Sequence, residues 1–564
     1  MRALEWQAPE VDEGQASALA KELGVRRLTA RILIARGLAQ ATVAARFLAP
    51  RLADLRAPAG MADLGRVVER IVAALDQRQK IGVFGDYDVD GVTTAAVLAQ
   101  TLRAFGGDVI PRVASRKAGY GLGVADVARF ADDGCALLIT GDCGTSDVEA
   151  LEAGRQRGLD VMVIDHHQIP SGETAAFALL NPHRADDQFP FKGLASCGVA
   201  FYLAAALRSR LRDRGASFDP RDLLDLVALG SVADMVPLVE ENRILVAAGL
   251  RVLSARKRPG ITALCEAANI SDGPLDAEDI SFRLAPRLNA AGRLGEAQLA
   301  LDVLLAPTID DARRLTAELD ERNRERQRIQ ETVWTAALQA AEPHAGDAAL
   351  VVGADGWHPG VVGIIAAKLV EKFARPVVVI GFENGQGRGS ARTIPGFNLY
   401  EALVQCRSHL IRYGGHAAAA GMSLSQERLE DFRRSFVAEA TRALQSKAAI
   451  RSVAVDAVIA LGDFDVAMAE DLGRLAPFGA ANAEPLLAFA GVTAQSTRRV
   501  GQGHLQLTLA QRGSISDAIG FGMADRDPGN GASVDVVATA ELDTFRGERR
   551  TRLKIRHIHA SRPV

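Results

Sequence analysis

The sequence predicts an α/β protein in which a parallel-sheet unit is joined by a long helix to a smaller α/β unit, which is followed by a small C-terminal β-barrel. Three observations support this. Apolar strand-like runs alternate with helical patterns from about residue 66 to 240, a charged run of helix formers spans 309–342, and short segments of alternating polarity occur within 447–564. Alternation of strands and helices is typical of parallel sheets, and short alternating strands are typical of barrels.

The first unit contains the clearest alternation. Before it, residues 1–60 are predicted to form short helices separated by prolines. Strands are predicted at 81–85, 108–113, 136–140 and 160–164, with helices at 91–105, 123–132, 146–157, 197–212 and 221–233. A parallel sheet of this kind binds ligands beyond the carboxyl ends of its strands.

The remaining segments complete the domain prediction. The run 309–342 indicates a solvated connecting helix, although its arginines could also contact a phosphate backbone. A second unit should have strands Ala348–Val352 and Pro376–Ile380 around a helix at 361–374, and 505–509, 534–537 and 551–555 indicate barrel strands. The predicted domains are an N-terminal helical segment (1–60), a catalytic domain (61–308), the connecting helix (309–346), a smaller α/β domain (347–446) and the barrel (447–564).

The composition is that of an ordinary globular chain. Its 564 residues are 48% hydrophobic and 24% charged, with 66 basic and 69 acidic residues. A net charge of −3 neither indicates nor excludes nucleic acid, because a basic groove can lie on a neutral protein. We expect no signal peptide, and no apolar run approaches the ~18–20 residues of a membrane span. The five cysteines form no CxxC pair, which favours a reducing cytoplasm.

Acidic residues follow the first predicted strand at alternate positions. Asp86, Asp88 and Asp90 would repel one another unless a cation binds them, and alternate residues of an extended chain face the same way. Oxygen ligands favour a hard divalent ion. An EF-hand calcium loop is improbable because its twelfth position, counted from Asp86, is Val97 instead of glutamate.

Further candidate ligands lie at later strand ends. Asp142 and the run Asp165-His166-His167 each follow an apolar strand, and Asp234 follows a helix. An imidazole ligand favours manganese or another transition ion over calcium. Asp142 could bridge two ions, and Asp165 could orient a histidine ligand through its other ring nitrogen. For any one of these residues, a helix cap, a solvated acid or a purely structural role is the alternative.

These residues match a known pattern. Asp165-His166-His167 is the signature of the DHH phosphoesterase superfamily. Segments 84–91, 139–144 and 230–238 resemble its first, second and fourth motifs, and 285–294 resembles the segment that follows in the RecJ family. In the second unit, 357–363, 389–392 and 413–416 resemble DHHA1 signatures, and the barrel resembles an oligonucleotide-binding (OB) fold. The resemblance covers about residues 60–560 in the right order.

Three positions depart from the family pattern. Ser231 replaces a common threonine and keeps a hydroxyl, whereas Phe84 replaces a histidine found in some relatives and offers no ligand. The segment 477–485 lacks the usual Gly-Asn-Pro run of the loop between the barrel and its neighbour.

The resemblance implies a 5′→3′ exonuclease that hydrolyses single-stranded DNA with a 5′-phosphate, using two Mn²⁺ or Mg²⁺ ions. It implies roles in recombination and mismatch repair beside a RecQ-type helicase and a single-strand-binding protein, and a monomeric state. Asp88, Asp142 and Asp86 would hold one ion, and Asp90, Asp142, His166 and Asp234 the other. His167 would stay off the metals and hydrogen-bond the reacting phosphate or leaving group.

The same resemblance implies a set of DNA-binding residues. Arg116, Ser390 and Arg392 would bind the terminal phosphate, because guanidinium groups bind phosphate bidentately. Arg287, Asn289 and Arg293 would contact the DNA backbone near the scissile bond. Tyr120 would stack on a base or pack beside its flanking glycines, His416 would contact phosphate or serve its loop, and Trp357 is expected to be a partly buried interdomain aromatic.

Two alternatives remain. Relatives with the same chemistry hydrolyse short oligonucleotides or cyclic dinucleotides, and such enzymes generally lack the barrel. Other relatives are non-enzymatic subunits of replication complexes with decayed metal motifs, whereas every expected ligand position here holds a competent residue. If the chain is an exonuclease, the strand would thread through a cleft between the two α/β units.

Overall fold

A computed structural model describes residues 5–116, 121–170, 174–215, 217–295, 297–445, 452–501, 503–545 and 548–561. The chain begins with a short strand and three helices: β1 Glu5–Gln7, α1 Glu13–Leu23, α2 Arg27–Ala35 and α3 Ala41–Leu48. No helix among the described residues combines the length and apolar character needed to cross a membrane.

The first unit is a five-stranded parallel sheet with helices on both faces, as predicted. The strand order is β3-β2-β4-β5-β6, and every neighbouring pair is parallel. The inner strands β2, β4 and β5 are almost fully buried because helices cover both faces, whereas the edge strand β3 is partly exposed. The elements are α4 Leu64–Asp76, β2 Lys80–Gly85, α5 Val89–Ala104, β3 Asp108–Val113, α6 Val124–Asp132, β4 Cys135–Gly141, α7 Val148–Gln156, β5 Asp160–Ile164, β6 Ala178–Leu180, α8 Ser196–Arg210, α9 Leu224–Ala233, α10 Glu240–Ser254, α11 Pro259–Ala267, α12 Ala277–Asp279, α13 Ala285–Leu294 and α14 Gln298–Leu304.

A single long helix, α15 Ile309–Ala341, connects the two units as predicted. Its first half packs on α11 and α13 of the first unit, and its second half packs on β7 Leu350–Asp355 and α16 Val362–Phe373 of the second. The charged run is therefore not wholly solvated, because Arg326 lies buried against the first unit.

The second unit is a smaller α/β unit, as predicted, and its sheet is mixed. Only β7 and β8 pair in parallel, and three antiparallel strands extend the sheet in the order β10-β11-β9-β8-β7. The extra strands are short and rich in glycine, which weakens their sequence signal. The further elements are β8 Val377–Glu383, β9 Gln386–Arg392, α17 Leu399–Gln405, β10 Arg412–Gly415, β11 Ala419–Ser425 and α18 Leu429–Gln445.

The C-terminal region is a closed barrel, as predicted. Strands β14, β15, β16, β18 and β17 pair in that order, and β14 also pairs with β17 to close the ring. Alternate residues of β15 are buried, as a small barrel interior requires. The elements are β12 Ser452–Ala454, β13 Ala457–Val458, α19 Val466–Gly473, β14 Leu487–Val500, β15 His504–Gln511, β16 Ser514–Gly520, β17 Ala532–Phe545 and β18 Glu548–Ala560.

The N-terminal helices share the core of this barrel instead of forming a core of their own. Leu19, Leu28 and Ile32 belong to the same apolar cluster as barrel residues, and β1 pairs in parallel with β12. Arg243 of α10 ties this assembly to the first unit through bonds to the carbonyl oxygens of Phe47 (2.7 Å) and Ala476 (2.7 Å). The helices of the predicted segment 1–60 are thus structurally part of the barrel assembly, whereas Leu52 and Leu55 pack against the core of the first unit.

Candidate metal centre

The loop after β2 brings its acidic residues together by starting a helix. Asp88 is the N-cap of α5 and accepts a bond from Gly91 N (3.1 Å), whereas Asp90 already lies in the first helical turn. The carboxylates therefore do not converge as alternate residues of an extended chain, and the prediction of an extended segment there was wrong. Gly91 allows the tight turn, since a Cβ there would lie 2.4 Å from Asp86 N.

Neighbouring strand ends supply the other groups. Asp142 follows β4 with a positive φ of 64°, a conformation that is unusual for a non-glycine residue. Its amide donates to the Ile164 carbonyl (2.9 Å), while the Asp86 amide donates to the Gly141 carbonyl (3.1 Å). The sheet edge is thereby continued past the ends of β2, β4 and β5, which holds the acidic loops side by side.

The side chains form ligand groups, two of which share Asp142. The ligand atoms of Asp86, Asp88 and Asp142 lie within 4.8 Å of one another, as do those of Asp90, His166 and Asp234. The Nε2 atom of His166 lies 3.2 Å from Asp142 Oδ1 and 3.5 Å from Asp234 Oδ2. The first group has the members of the first predicted ligand set. The second lacks Asp142, which instead forms a third group with His166 and His167, so the two ligand sets stay predictions.

Burial and repulsion make this cluster a cation site. Burial and the charge of Asp88 raise the pKa of Asp86 to about 8, and burial with the charges of Asp90 and Asp88 raises that of Asp234 to about 8. Neither carboxylate oxygen of Asp86 makes a hydrogen bond of good geometry to a described residue, and the same holds for His166 Nε2. Buried carboxylate oxygens grouped around an imidazole nitrogen suit Mn²⁺ or Mg²⁺.

Asp165 orients His167, the histidine predicted to stay off the metals, and not the ligand His166. Asp165 Oδ1 lies 2.8 Å from His167 Nδ1 and also accepts the His166 amide (2.8 Å). Burial opposes the imidazolium, but the bond and charge of Asp165 prevail and raise the pKa of His167 to about 9. The same pairing outweighs burial at Asp165 and lowers its pKa to about 2. His167 Nδ1 also lies 3.8 Å from Asp142 Oδ1, close enough to group with the ligands.

The N-terminus of α8 holds two of the acidic residues. Asp90 accepts the amides of Ser196 (2.7 Å) and Cys197 (3.0 Å), and the Ser196 hydroxyl donates to Asp142 Oδ1 (3.0 Å). Ser196 is fully buried, so this bond is shielded from water. No sequence signal singled out Ser196, because a serine at a predicted helix start is ordinarily read as a cap.

Replacing Ser196 with alanine should weaken metal binding. The Ser196→Ala variant keeps the backbone bond to Asp90 but removes the hydroxyl bond to Asp142, and loss of a group that orients a ligand typically costs 10–100-fold in metal affinity. We expect Mn²⁺ affinity, measured by calorimetry, to fall at least about 10-fold. The control is Thr101→Val, because the buried Thr101 hydroxyl bonds the Val97 carbonyl within α5. Equal Mn²⁺ affinity in wild type and Ser196→Ala would contradict this role.

Arginines from both units gather beside the acidic cluster. Burial lowers the pKa of Arg293 to about 10, helped by the charges of Arg116, Arg326 and Arg392. The guanidinium of Arg116 lies 4.4 Å from the ring centroid of Tyr87, next to the acidic loop. Arg293 Nη1 donates to the Gly360 carbonyl across the two units (3.1 Å). Uncompensated cations beside a carboxylate cluster favour a bound phosphate.

The other predicted DNA contacts differ in position. The guanidinium of Arg287 is engaged within the protein, because it donates hydrogen bonds to the Asp320 carboxylate (3.0 Å) and to the Arg283 carbonyl (2.7 Å). The Ser390 hydroxyl accepts a bond from Arg392 (3.0 Å), so these two side chains lie together as predicted. Asn289 is half-buried on α13, and His416 is exposed after β10. Trp357 is a buried aromatic with 8% of its surface exposed. Tyr120 lies outside the described residues.

Comparisons with known proteins agree with this architecture. Family models match in chain order: the DHH family N-terminal domain (residues 80–231), the DHHA1 domain (346–442) and the RecJ OB domain (455–557). The single-stranded-DNA-specific exonuclease RecJ of Bacillus subtilis is 34% identical over 99% of this chain and 71% of its own length. RecJ of Escherichia coli is 36% identical over 87% of this chain and 89% of its own length.

Solved structures show the same likeness in three dimensions. RecJ of Thermus thermophilus in complex with Mn²⁺ superposes with a TM-score of 0.85 at 29% identity, covering 99% of this chain and 80% of that one. Its complex with Mg²⁺ gives 0.78 at 28% identity, covering 99% and 79%. With the matching order of the three family domains and 34–36% identity over most of the chain, the chain belongs to the RecJ family of DHH/DHHA1 phosphoesterases.

Proposed function

We propose that this protein is a metal-dependent 5′→3′ exonuclease that hydrolyses single-stranded DNA to 5′-mononucleotides. The observation that carries the proposal is the position of three ligand groups, two of which share Asp142, directly beside a cluster of arginines contributed by both units. The related proteins are named single-stranded-DNA-specific exonucleases, and related structures hold Mn²⁺ or Mg²⁺.

The acidic residues would hold the metal ions, and His167 would act on the substrate. Asp86, Asp88 and Asp142 would hold one Mn²⁺ or Mg²⁺ ion, and Asp90, Asp142, His166 and Asp234 the other. Two such ions, when bound, supply an activated water and stabilise the attacking and leaving oxygens of a phosphodiester. Asp165 fixes the ring of His167 through Nδ1, which leaves Nε2 to hold a proton for a phosphate or leaving-group oxygen.

The end of the strand would be recognised by the arginine cluster. Arg116 and Arg392, with the Ser390 hydroxyl, are the groups proposed to bind the 5′-phosphate, and Arg293 to bind the neighbouring backbone. The cleft between the units would admit one strand and exclude duplex by its width. Cooperation with a RecQ-type helicase and a single-strand-binding protein, and a monomeric state, stay predictions from the family.

The decisive experiment is Mn²⁺-dependent digestion of 3′-labelled oligonucleotides in single-stranded and duplex form, with either a 5′-phosphate or a 5′-hydroxyl. We expect shortening of the phosphorylated single strand from its 5′ end. In Arg392→Gln, the preference for 5′-phosphate should fall about 10–100-fold, because a hydrogen bond to a charged group is worth about 1.5–3 kcal/mol. The control is Arg434→Gln on α18, whose side chain is 78% exposed.

The outcomes separate the alternatives. Intact long strands together with hydrolysis of dinucleotides or cyclic dinucleotides would replace the proposal with a short-oligonucleotide phosphodiesterase. Substrate length is a better variable than truncation of the barrel, because removing the barrel would expose the apolar faces of the N-terminal helices. No hydrolysis of any of these substrates by folded, Mn²⁺-bound protein would contradict an enzymatic function.

A further inference from the structure

A buried asparagine lies beside the Asp165–His167 pair, and the proposed chemistry does not use it. Asn181 directly follows β6, an edge strand of the first unit's sheet that supplies no candidate metal ligand. Its side chain is fully buried. A buried amide costs free energy unless its donors and its acceptor find partners, so the partners of Asn181 indicate what this side chain holds in place.

Three hydrogen bonds satisfy this amide. The Nδ2 atom of Asn181 donates to the His167 carbonyl (2.9 Å) and to the Thr145 hydroxyl (3.2 Å), and Oδ1 accepts the His183 amide (2.9 Å). These partners fix which way the side-chain amide is turned, because a carbonyl oxygen only accepts and a backbone amide only donates. An ionised aspartate of the same shape would lack the two donors, so the site requires asparagine.

The two donated bonds reach both members of the Asp165–His167 pair. One holds the main chain of His167 directly. The other holds Thr145, whose amide donates to Asp165 Oδ2 (3.2 Å), while Oδ1 of the same carboxylate lies 2.8 Å from His167 Nδ1. The end of β6 adds a further bond, since the Leu180 carbonyl accepts the Asp165 amide (3.1 Å). A single side chain therefore connects the carboxylate and the histidine from the side opposite their mutual bond.

The ring of His167 depends on hydrogen bonds more than on packing. Its side chain is 39% exposed, whereas that of Asp165 is 2% exposed. The bond at Nδ1 fixes the ring relative to the carboxylate, but the ring still moves with its own main chain. Misplacement of a reacting group by about 1 Å can reduce a rate about 100-fold. The bond from Asn181 to the His167 carbonyl restrains the main chain at this point.

We propose that Asn181 is a positioning residue for His167. It holds the His167 main chain and, through Thr145, the Asp165 carboxylate, so that His167 Nε2 stays directed towards the reacting phosphate. The inference rests on the proposed function and adds the residue that keeps this histidine in place. The three hydrogen-bond partners of Asn181 are a carbonyl, a hydroxyl and a backbone amide, and none of them belongs to the side chain of a predicted metal ligand. Asn181 should therefore affect the chemical step and not metal or DNA binding.

Replacing Asn181 with alanine tests this separation. With excess enzyme and Mn²⁺, the single-turnover rate on a 5′-phosphorylated single strand should fall about 10–100-fold in Asn181→Ala. Affinity for the same strand, measured by fluorescence anisotropy in EDTA, and affinity for Mn²⁺, measured by calorimetry, should both stay within about twofold of wild type. A rate equal to that of wild type, or a loss of Mn²⁺ affinity as large as the loss of rate, would overturn the inference.

A matched control separates positioning from general destabilisation. Asn482 of the barrel assembly is also buried, and its side chain also makes three hydrogen bonds, to the carbonyls of Leu475 and Pro477 and to Arg36. Asn181→Ala and Asn482→Ala should therefore both lower the thermal midpoint. Only Asn181→Ala should reduce the rate of the folded protein, and an equal reduction in both variants would overturn the inference.

A double-mutant cycle tests whether Asn181 acts through His167. In a His167→Ala background the ring is absent, so adding Asn181→Ala should reduce the rate by less than about twofold. The same 10–100-fold loss in both backgrounds would show that Asn181 acts elsewhere and would overturn the inference.

Thr145 provides a test that does not depend on the folding of Asn181→Ala. Thr145→Val removes the acceptor of one Asn181 bond and should reduce the rate about 3–10-fold, the value of one hydrogen bond. Thr145→Ser keeps the hydroxyl and should restore the rate to within about twofold of wild type. Equal rates in the valine and serine variants would count against the connection through Thr145. Failure of the wild-type protein to digest single strands would instead overturn the proposed function itself.

Discussion

The Asp142→Asn variant should lose more than about 100-fold in exonuclease rate while its metal-free form becomes more stable. Asp142 belongs to two of the three ligand groups, and it also lies 3.2 Å from His166 Nε2. Removal of a group that merely orients a metal ligand reduces metal affinity or activity 10–100-fold, so removal of a shared ligand should reduce them further. Stability should rise because burial and the charges of Asp90 and Asp88 already raise the pKa of Asp142 well above its usual value.

Opposite effects on activity and stability separate a lost ligand from a damaged fold. The rate is measured with the phosphorylated single strand, the number of bound Mn²⁺ ions by calorimetry, and the thermal midpoint in EDTA. Asp126→Asn is the control, since Asp126 accepts the Gly123 amide at the start of α6. A rate within about tenfold of wild type, or full Mn²⁺ occupancy in Asp142→Asn, would remove Asp142 from the centre.

The metal-free protein should lose stability as the pH rises from about 4 to about 8. Asp86 and Asp234 keep their protons up to about pH 8 in the folded state, whereas an unfolded aspartate titrates near 3.9. Between these values the folded state binds more protons, so raising the pH favours unfolding. The slope is about 1.4 kcal/mol per pH unit for each extra proton bound. His167 acts in the same direction, because its stabilisation is complete below about pH 6.5 and is lost as the pH rises through about 9.

Divalent cations should reverse this trend, because they bind the ionised carboxylates. Urea unfolding at pH 5 and pH 8 tests the prediction, in EDTA and then with Mn²⁺. The gain from Mn²⁺ should be larger at pH 8, and Asp234→Asn should flatten the pH dependence in EDTA by about one proton. Asp165 contributes the opposite slope only at low pH, since its stabilisation is lost as the pH falls from about 4 towards 2. Higher stability at pH 8 than at pH 5 in EDTA would show that these carboxylates are not forced together.

The sequence alone determined the parts of this protein that depend on local pattern. Apolar strands alternating with helices imply a parallel sheet, and carboxyl ends of parallel strands meet at one edge. Candidate ligands directly after β2, β4 and β5 must therefore lie close together. This is why Asp86, Asp142 and His166 could be grouped from their positions in the sequence. The closed barrel and the single long helix follow from periodicity in the same way.

Tertiary structure decided what depends on contacts between distant segments. The hydroxyl of Ser196 reaches Asp142 across 54 residues, and the N-terminal helices enter the barrel core from the other end of the chain. Asp165 orients the ring of His167 and not that of His166. The loop after β5 determines the orientation of both imidazole rings, and a loop has no periodic pattern from which this could be predicted. Local pattern fixes which face of an element is apolar, and only packing decides which faces are covered.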